Sequence, residues 1–155
     1  MATEIERKFL VVDDRWRGES RRRQRLVQGY LANTDRGSIR VRLEGDRASL
    51  NIKSMTLDVT RSEFDYPIPV DEAEIILHSL CMKPLIEKTR HYLVHEGHTW
   101  EVDEFHGDNA GLVVAEIELR DKSEPFAKPS WLGKEVSDDP RYYNVCLVER
   151  PFRSW

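Results

Sequence analysis

The chain has 155 residues, 34% of them charged and 39% hydrophobic, with a formal net charge of -4 at pH 7. This length suits one domain with its own core, the composition excludes a disordered tail, and the negative balance excludes general attraction to nucleic acid or to an anionic membrane. Cys81 and Cys146 fit neither a zinc spacing nor a disulfide framework, the N-terminus has no apolar leader core, and no window approaches roughly 18 consecutive apolar residues, so residues 1–155 are expected to form a single cytoplasmic domain with no membrane partner.

Alternation with period two begins at Glu4 to Val11, where Ile5, Phe9 and Val11 share one face, Glu4, Glu6 and Lys8 the other, and Arg7 interrupts the apolar side. Arg21-Arg22-Arg23 reads as a solvated loop that could steer anions, and Arg25 to Leu31 as the second strand. After the turn Asn33 to Gly37, the segment Ser38 to Glu44 sets Ile39, Val41 and Leu43 against Arg40 and Arg42, and Ala48 to Ser54 sets Ala48, Leu50 and Ile52 against Asn51 and Lys53. The Glu44-Gly45-Asp46 turn makes these a hairpin. Arg61 to Tyr66 puts Arg61, Glu63 and Asp65 on one face before Pro67 and Pro69 close the strand. The period then changes: Ala73, Ile76, Leu77 and Leu80 predict an amphipathic helix, with Asp71 and Glu74 resembling a capping box. Leu85 to His95 and Thr99 to Phe105 predict a hairpin across Glu96-Gly97, and Leu112 to Leu119 an eighth strand carrying Glu116 and Glu118. Pro125, Pro129 and Pro140 break the tail into short pieces, with a helix expected around Asn144 to Glu149.

Eight short strands joined by hairpin turns predict an antiparallel sheet or closed barrel. The face opposite the apolar side carries Glu4, Glu6, Glu63, Asp65, Glu101, Asp103, Glu116 and Glu118 together with Lys8, Arg40, Arg42, Lys53, Arg61, Lys88 and Arg90. One reading makes this the solvated face of a half-exposed sheet. Against it stands the near absence of Ser, Thr and Gln, and the local clustering of like charges. Glu4 and Glu6 lie about 6.7 Å apart along a strand, which at an effective dielectric near 20 is a repulsion of roughly 2.5 kcal/mol. An enclosed surface of this kind calls for hard cations such as Mg²⁺ or Mn²⁺, and the guanidinium groups call for phosphate oxygens. A polyphosphate spanning metals and basic side chains meets both demands, and the lack of a glycine-rich phosphate loop excludes a P-loop mechanism.

Glu4-Ile5-Glu6-Arg7-Lys8-Phe9 is similar to the N-terminal ExExK signature of the CYTH superfamily, the triphosphate tunnel metalloenzymes. Further matches follow in order: Gln28-Gly29-Tyr30, Arg40-Val41-Arg42, Ile52-Lys53, Glu63, Glu87 to Arg90, Val102 to Phe105, Glu116 to Leu119 and Leu132 to Val136. The resemblance implies a mainly β fold, an eight-stranded antiparallel closed barrel with flanking helices and a short C-terminal helix closing one end of the tunnel. It implies a divalent metal held by Glu4, Glu6 and Glu118, a second ion served by Glu63, Asp103 and Glu116, and a phosphate clamp of Lys8, Arg40, Arg42, Lys53, Lys88 and Arg90. Asp65 and Val27 depart from residues common in the family. The implied activity is hydrolysis of inorganic triphosphate to pyrophosphate and phosphate. A class IV adenylate cyclase, a nucleoside or thiamine triphosphatase, and a non-catalytic polyphosphate-binding module are the alternatives. A nucleoside triphosphate is thereby admitted as a ligand, and a second copy of the chain as a partner.

The attacking water can be deprotonated by the metal alone or with help from a side chain of shifted pKa; Lys88 is a candidate for that base, burial and Arg90 lowering its pKa and nearby carboxylates raising it. The five histidines are not spaced as a zinc site. Trp16, Trp100, Trp131 and Trp155 read as packing residues.

Overall fold

The alternating segments form antiparallel strands in the computed structural model, which describes residues 2–55 and 59–155. In chain order they are β1 (Ala2–Val11), β2 (Arg22–Asn33), β3 (Gly37–Glu44), β4 (Arg47–Ser54), β5 (Thr60–Ile68), β6 (Ile86–His95), β7 (His98–Phe105), β8 (Val113–Glu118) and β9 (Leu132–Glu135), with helices α1 (Val70–Ser79) and α2 (Cys146–Glu149). Glu96 and Gly97 both take positive φ, 44° and 82°, the combination a two-residue hairpin turn requires.

The strands run β5-β4-β3-β2-β6-β7-β8-β1, and β1 returns to β5. Closure occurs at β1, whose Glu6 to Leu10 pair with β8 and whose Ala2 to Ile5 pair with β5. The expected eight-stranded antiparallel barrel is therefore formed, and the reading of an open sheet with a solvated charged face is overturned. Once the sheet closes, its charged residues have nowhere to point but inward.

The apolar residues consequently face outward and need covers. The helix α1 lays Ala73 and Leu77 on Val41 and Ala48 of β3 and β4. The turn Arg15–Glu19 and the segment before β9 bring Trp16 and Trp131 onto Phe9, Leu93, Trp100, Ala115 and Ile117. At one end of the barrel the inward positions are apolar as well, and there the C-terminal segment plugs the lumen, packing Tyr143, Val145, Leu147 and Val148 against Tyr30, Ile86, Phe105 and Val114. Trp16, Trp100 and Trp131 thus pack as expected, whereas Trp155 is 42% exposed. Among the described residues no helix is long and apolar enough to cross a membrane.

Several local expectations are corrected. The strand β2 begins at Arg22, so Arg22 and Arg23 are paired with Tyr92 and His91 instead of lying on a loop; the long partner β6 extends the pairing, although their side chains stay exposed. There is no capping box, because α1 starts at Val70 behind Pro69, which offers no side-chain acceptor; Asp71 falls in the first turn, where its charge suits the helix dipole. Leu80 leaves the helix and is 66% exposed. The predicted terminal helix shortens to α2, leaving Asn144 outside it. The strand β9 was not expected, and it explains Arg7: its guanidinium stays over the Phe9 and Phe126 rings of the apolar face and donates to Glu135 of β9 at 2.6 and 3.0 Å.

Gly29 of β2 shows how closely α1 is seated. A Cβ there would lie 2.7 Å from Cys81 Sγ and 2.9 Å from Leu77 Cδ2. Gly29→Ala is expected to lower stability by about 1–3 kcal/mol through overpacking, read as a lower midpoint in urea. An unchanged midpoint would show that α1 can move aside.

Candidate active site in the barrel lumen

The lumen holds a cavity of about 220 Å³ lined by six glutamates, seven Lys and Arg residues and a few neutral side chains. Thirteen of the fifteen ionised residues predicted to share the inner face line it. Asp65 sits at the rim, in an adjoining pocket that shares Arg42 with the lumen, and accepts a 2.5 Å hydrogen bond from Asn51 Nδ2. Asp103 lies behind the lining with no exposed surface. Lys134, part of a sequence motif, is exposed on β9.

Acids and bases are segregated. Glu4, Glu6, Glu63 and Glu118 gather where β1, β5 and β8 meet, and Lys53 Nζ stands 3.1 Å from Glu4 and 4.0 Å from Glu63. Burial and the charges of Glu4, Glu6 and Glu63 push the Glu118 carboxyl above its ordinary value, with Lys53 opposing. Four carboxylates sharing one ammonium have an unmet demand for positive charge. Among the described residues no three His, Cys, Asp or Glu side chains are already drawn together as a ligand set. The donor set is nevertheless all hard oxygen, which fits Mg²⁺ or Mn²⁺ in chemistry and charge.

The rest of the lining is mainly cationic, and Arg61 lies in register with Glu4 beside the acids. Burial, with Arg40 and Arg90 close by, pulls the Arg42 guanidinium down to about 10. Among the described residues the Nε groups of Arg42 and Arg61 are buried without a hydrogen-bond partner. Orphaned donors on guanidinium groups facing one cavity are an unmet demand for an anion. Lys8 Nζ is 3.5 Å from Glu116 and donates to the Tyr142 carbonyl at 3.2 Å.

Behind the lining lies a fully engaged group. Asp103 accepts from Arg90 Nε and Nη2 at 2.8 and 2.9 Å and from Lys88 Nζ at 2.7 Å. Burial alone would raise the Asp103 carboxyl, but Arg90 and Lys88 outweigh it and hold the group well below the usual carboxylate range. Arg90 also contacts Glu101 and lies 3.7 Å from Glu116. Burial lowers the Lys88 ammonium to about 8, Asp103 opposing and Arg90 assisting.

The neutral lining residues Asn51, Tyr143 and Asn144, and the buried Gln28 beside Arg42, were not predicted as site residues. Asn51 bonds Arg40 Nε at 3.0 Å, Gln28 faces Arg42 Nη2 at 3.4 Å, and Asn144 Oδ1 accepts from Lys88 Nζ at 2.9 Å. Inward parity marks Asn51 and Gln28 in the sequence; nothing periodic marks Asn144.

Comparison with known proteins agrees with this geometry. The chain is 46% identical over 155 residues to an inorganic triphosphatase of Acetivibrio thermocellus, covering 100% of this chain and 99% of that one. It is 34% identical over 150 residues to an inorganic triphosphatase of Nitrosomonas europaea, covering 94% and 97%. A crystal structure of an inorganic triphosphatase superposes with a TM-score of 0.69 at 32% identity, over 96% of this chain and 95% of the other. A family model described as the CYTH domain matches residues 2–143. By its barrel, its charged lumen and this match, the chain belongs to the CYTH domain family.

Proposed function

We propose that the protein is a divalent-metal-dependent hydrolase that cleaves inorganic triphosphate to pyrophosphate and phosphate within the tunnel. The observation that carries this reading is a cavity within the closed barrel in which the Arg42 and Arg61 Nε groups are buried without a partner among the described residues, while Glu4, Glu6, Glu63 and Glu118 gather around Lys53. The full-length similarity to inorganic triphosphatases supports the same substrate.

In this reading Lys8, Arg40, Arg42, Lys53, Lys88 and Arg90 bind the phosphate chain, their fixed positions holding the reacting phosphorus in line with attacking water and leaving group. Glu4, Glu6, Glu63 and Glu118 would hold the metal, with Glu116 beside them. Bound there, Mg²⁺ or Mn²⁺ supplies Lewis-acid neutralisation of phosphoryl oxygens. Asp103 is assigned as the counter-ion that fixes Lys88 and Arg90 rather than as a metal ligand, since both its oxygens already accept from those cations. As water attacks and the bond to pyrophosphate breaks, negative charge grows on the leaving oxygen, and Lys88 keeps its proton at Nζ to offset that charge. The free thiols Cys81 and Cys146 support a cytoplasmic setting.

Purified protein given tripolyphosphate with Mg²⁺ or Mn²⁺ is expected to release one phosphate and one pyrophosphate per substrate, with turnover abolished by a chelator and restored by metal. Cyclic AMP formed from ATP would establish a cyclase instead. Metal-dependent binding without turnover would leave only a polyphosphate-binding module.

A further inference from the structure

An ammonium group has three N–H bonds, and their directions are fixed only when enough of them are held. Lys88 is fully buried, and register places its stem opposite Leu26 of β2 and Phe105 of β7, so water does not compete for it within the wall. Asp103 on β7 takes one N–H at 2.7 Å, and Asn144 takes a second at 2.9 Å from a segment 56 residues away in sequence. The third is left for the cavity that Lys88 lines. Lys8 on β1 is treated similarly, with the Tyr142 carbonyl at 3.2 Å. The segment Tyr142 to Asn144 therefore gives one acceptor to each of two lysines on different strands, so the strands alone do not complete the site.

We propose that Asn144 is a positioning residue for catalysis: its Oδ1 fixes the Lys88 ammonium so that the remaining N–H is aimed at the reacting phosphoryl group. A neutral acceptor suits this place, because a carboxylate would orient Lys88 equally well but would also repel an anionic substrate. The segment has its own seat, independent of this bond. Tyr143 OH donates to the Ser137 carbonyl at 2.9 Å, and Leu147 and Val148 are buried in the cluster at the barrel end. Losing the Asn144 acceptor thus loosens Lys88 without unseating the segment.

The proposal rests on the hydrolase reading for its kinetic consequences, and three variants separate the two. Asn144→Leu keeps the bulk and removes the acceptor; its kcat for tripolyphosphate is expected to fall about 10- to 100-fold, with KM within about threefold, as for an interaction aligned for the transition state. Asn144→Asp restores the acceptor, so kcat is expected to recover relative to Asn144→Leu while KM rises. Val148→Ala weakens the seat alone and should lower the melting temperature with little change in kcat. If Val148→Ala lowers kcat as much as Asn144→Leu, or if Asn144→Leu leaves kcat unchanged in an active protein, the positioning role is wrong and the hydrolase reading stands.

A readout without turnover accompanies these measurements. The Lys88 Nζ ammonium should give a slowly exchanging nitrogen resonance in the parent protein, lost in Asn144→Leu and kept in Asn144→Asp. Wild-type protein that binds tripolyphosphate but does not cleave it would defeat the hydrolase reading, and the resonance would still decide whether Asn144 holds Lys88. Its persistence in Asn144→Leu would overturn the proposal.

Discussion

Asp103→Asn is expected to destabilise the barrel by about 3–5 kcal/mol, the consequence of removing one partner from a fully buried ionic cluster. Asp103 has no exposed surface, and it accepts at 2.7 to 2.9 Å from two cations that are themselves buried. With the carboxylate gone, Arg90 keeps Glu101 and Glu116 nearby, whereas among the described residues Lys88 keeps the neutral Asn144 as its hydrogen-bond partner. For a chain of this size roughly 2–4 °C of melting temperature accompanies each kcal/mol, so calorimetry should record a fall of about 10 °C. The sign of the pH dependence follows from the shifts. The Asp103 carboxyl is depressed in the folded state, so its stabilisation is complete above the ordinary value of 3.8 and is lost only as pH falls towards the lower folded value. Lys88 is depressed to about 8 from 10.5, so its ammonium is a burden below pH 8 that eases as pH rises between those values. In the variant that burden grows, and its stability deficit should shrink between pH 7 and about 9 as Lys88 sheds its proton. Asp65→Asn, which touches only a rim hydrogen bond, should cost about 1 kcal/mol. Equal losses for the two variants would refute the assignment of Asp103 as the internal counter-ion.

The second large effect is kinetic. Lys88→Ala should lower kcat by about 100- to 1,000-fold, the range for loss of a preorganised donor to developing charge, while KM rises no more than a few-fold because Lys8, Arg40, Arg42 and Arg90 still bind the phosphates. Equal loss in kcat and affinity would assign Lys88 to binding alone. Its protonation decides between donor and base. Both fixed partners, Asp103 and Asn144, are acceptors, which favours the ammonium. The profile of kcat/KM, which reports the free enzyme, should therefore fall as pH rises through about 8, the value to which burial lowers Lys88. The fall in kcat should come at higher pH, because bound phosphate favours the charged lysine. A profile that climbs through pH 8 would make Lys88 the general base.

The strands were legible because alternation is repeated on eight segments with charge on one face; alternation left open sheet and closed barrel both standing, and the family resemblance pointed to the barrel. The same parity found most of the lumen, while the grouping of Glu4, Glu6 and Glu118 came from the resemblance to the CYTH superfamily. What it missed has physical causes. The strand β9 spans only Leu132–Glu135, too short to display a period, and its presence was foreshadowed only by Arg7 on an apolar face. Arg22 and Arg23 lack apolar neighbours and became strand only because β6 continues alongside. Asp103 shares the parity of Glu101, yet it is withdrawn from the cavity by the two cations that surround it. Asn144 is brought to Lys88 by packing of the chain end, an event no local pattern records.

The strand β1 has three neighbours, with β8 along one edge and β5 and β9 dividing the other. This makes it the keystone of assembly as well as the carrier of Glu4, Glu6 and Lys8. During synthesis it emerges first, yet its partner on one edge ends at Glu118 and the last stretch of the other edge at Glu135. The ring cannot shut while those residues are still in the ribosome, and such distant pairings form slowly. The strand β1 is thus among the last elements of the barrel to find its place, and the tunnel comes into being only after β8 has been made.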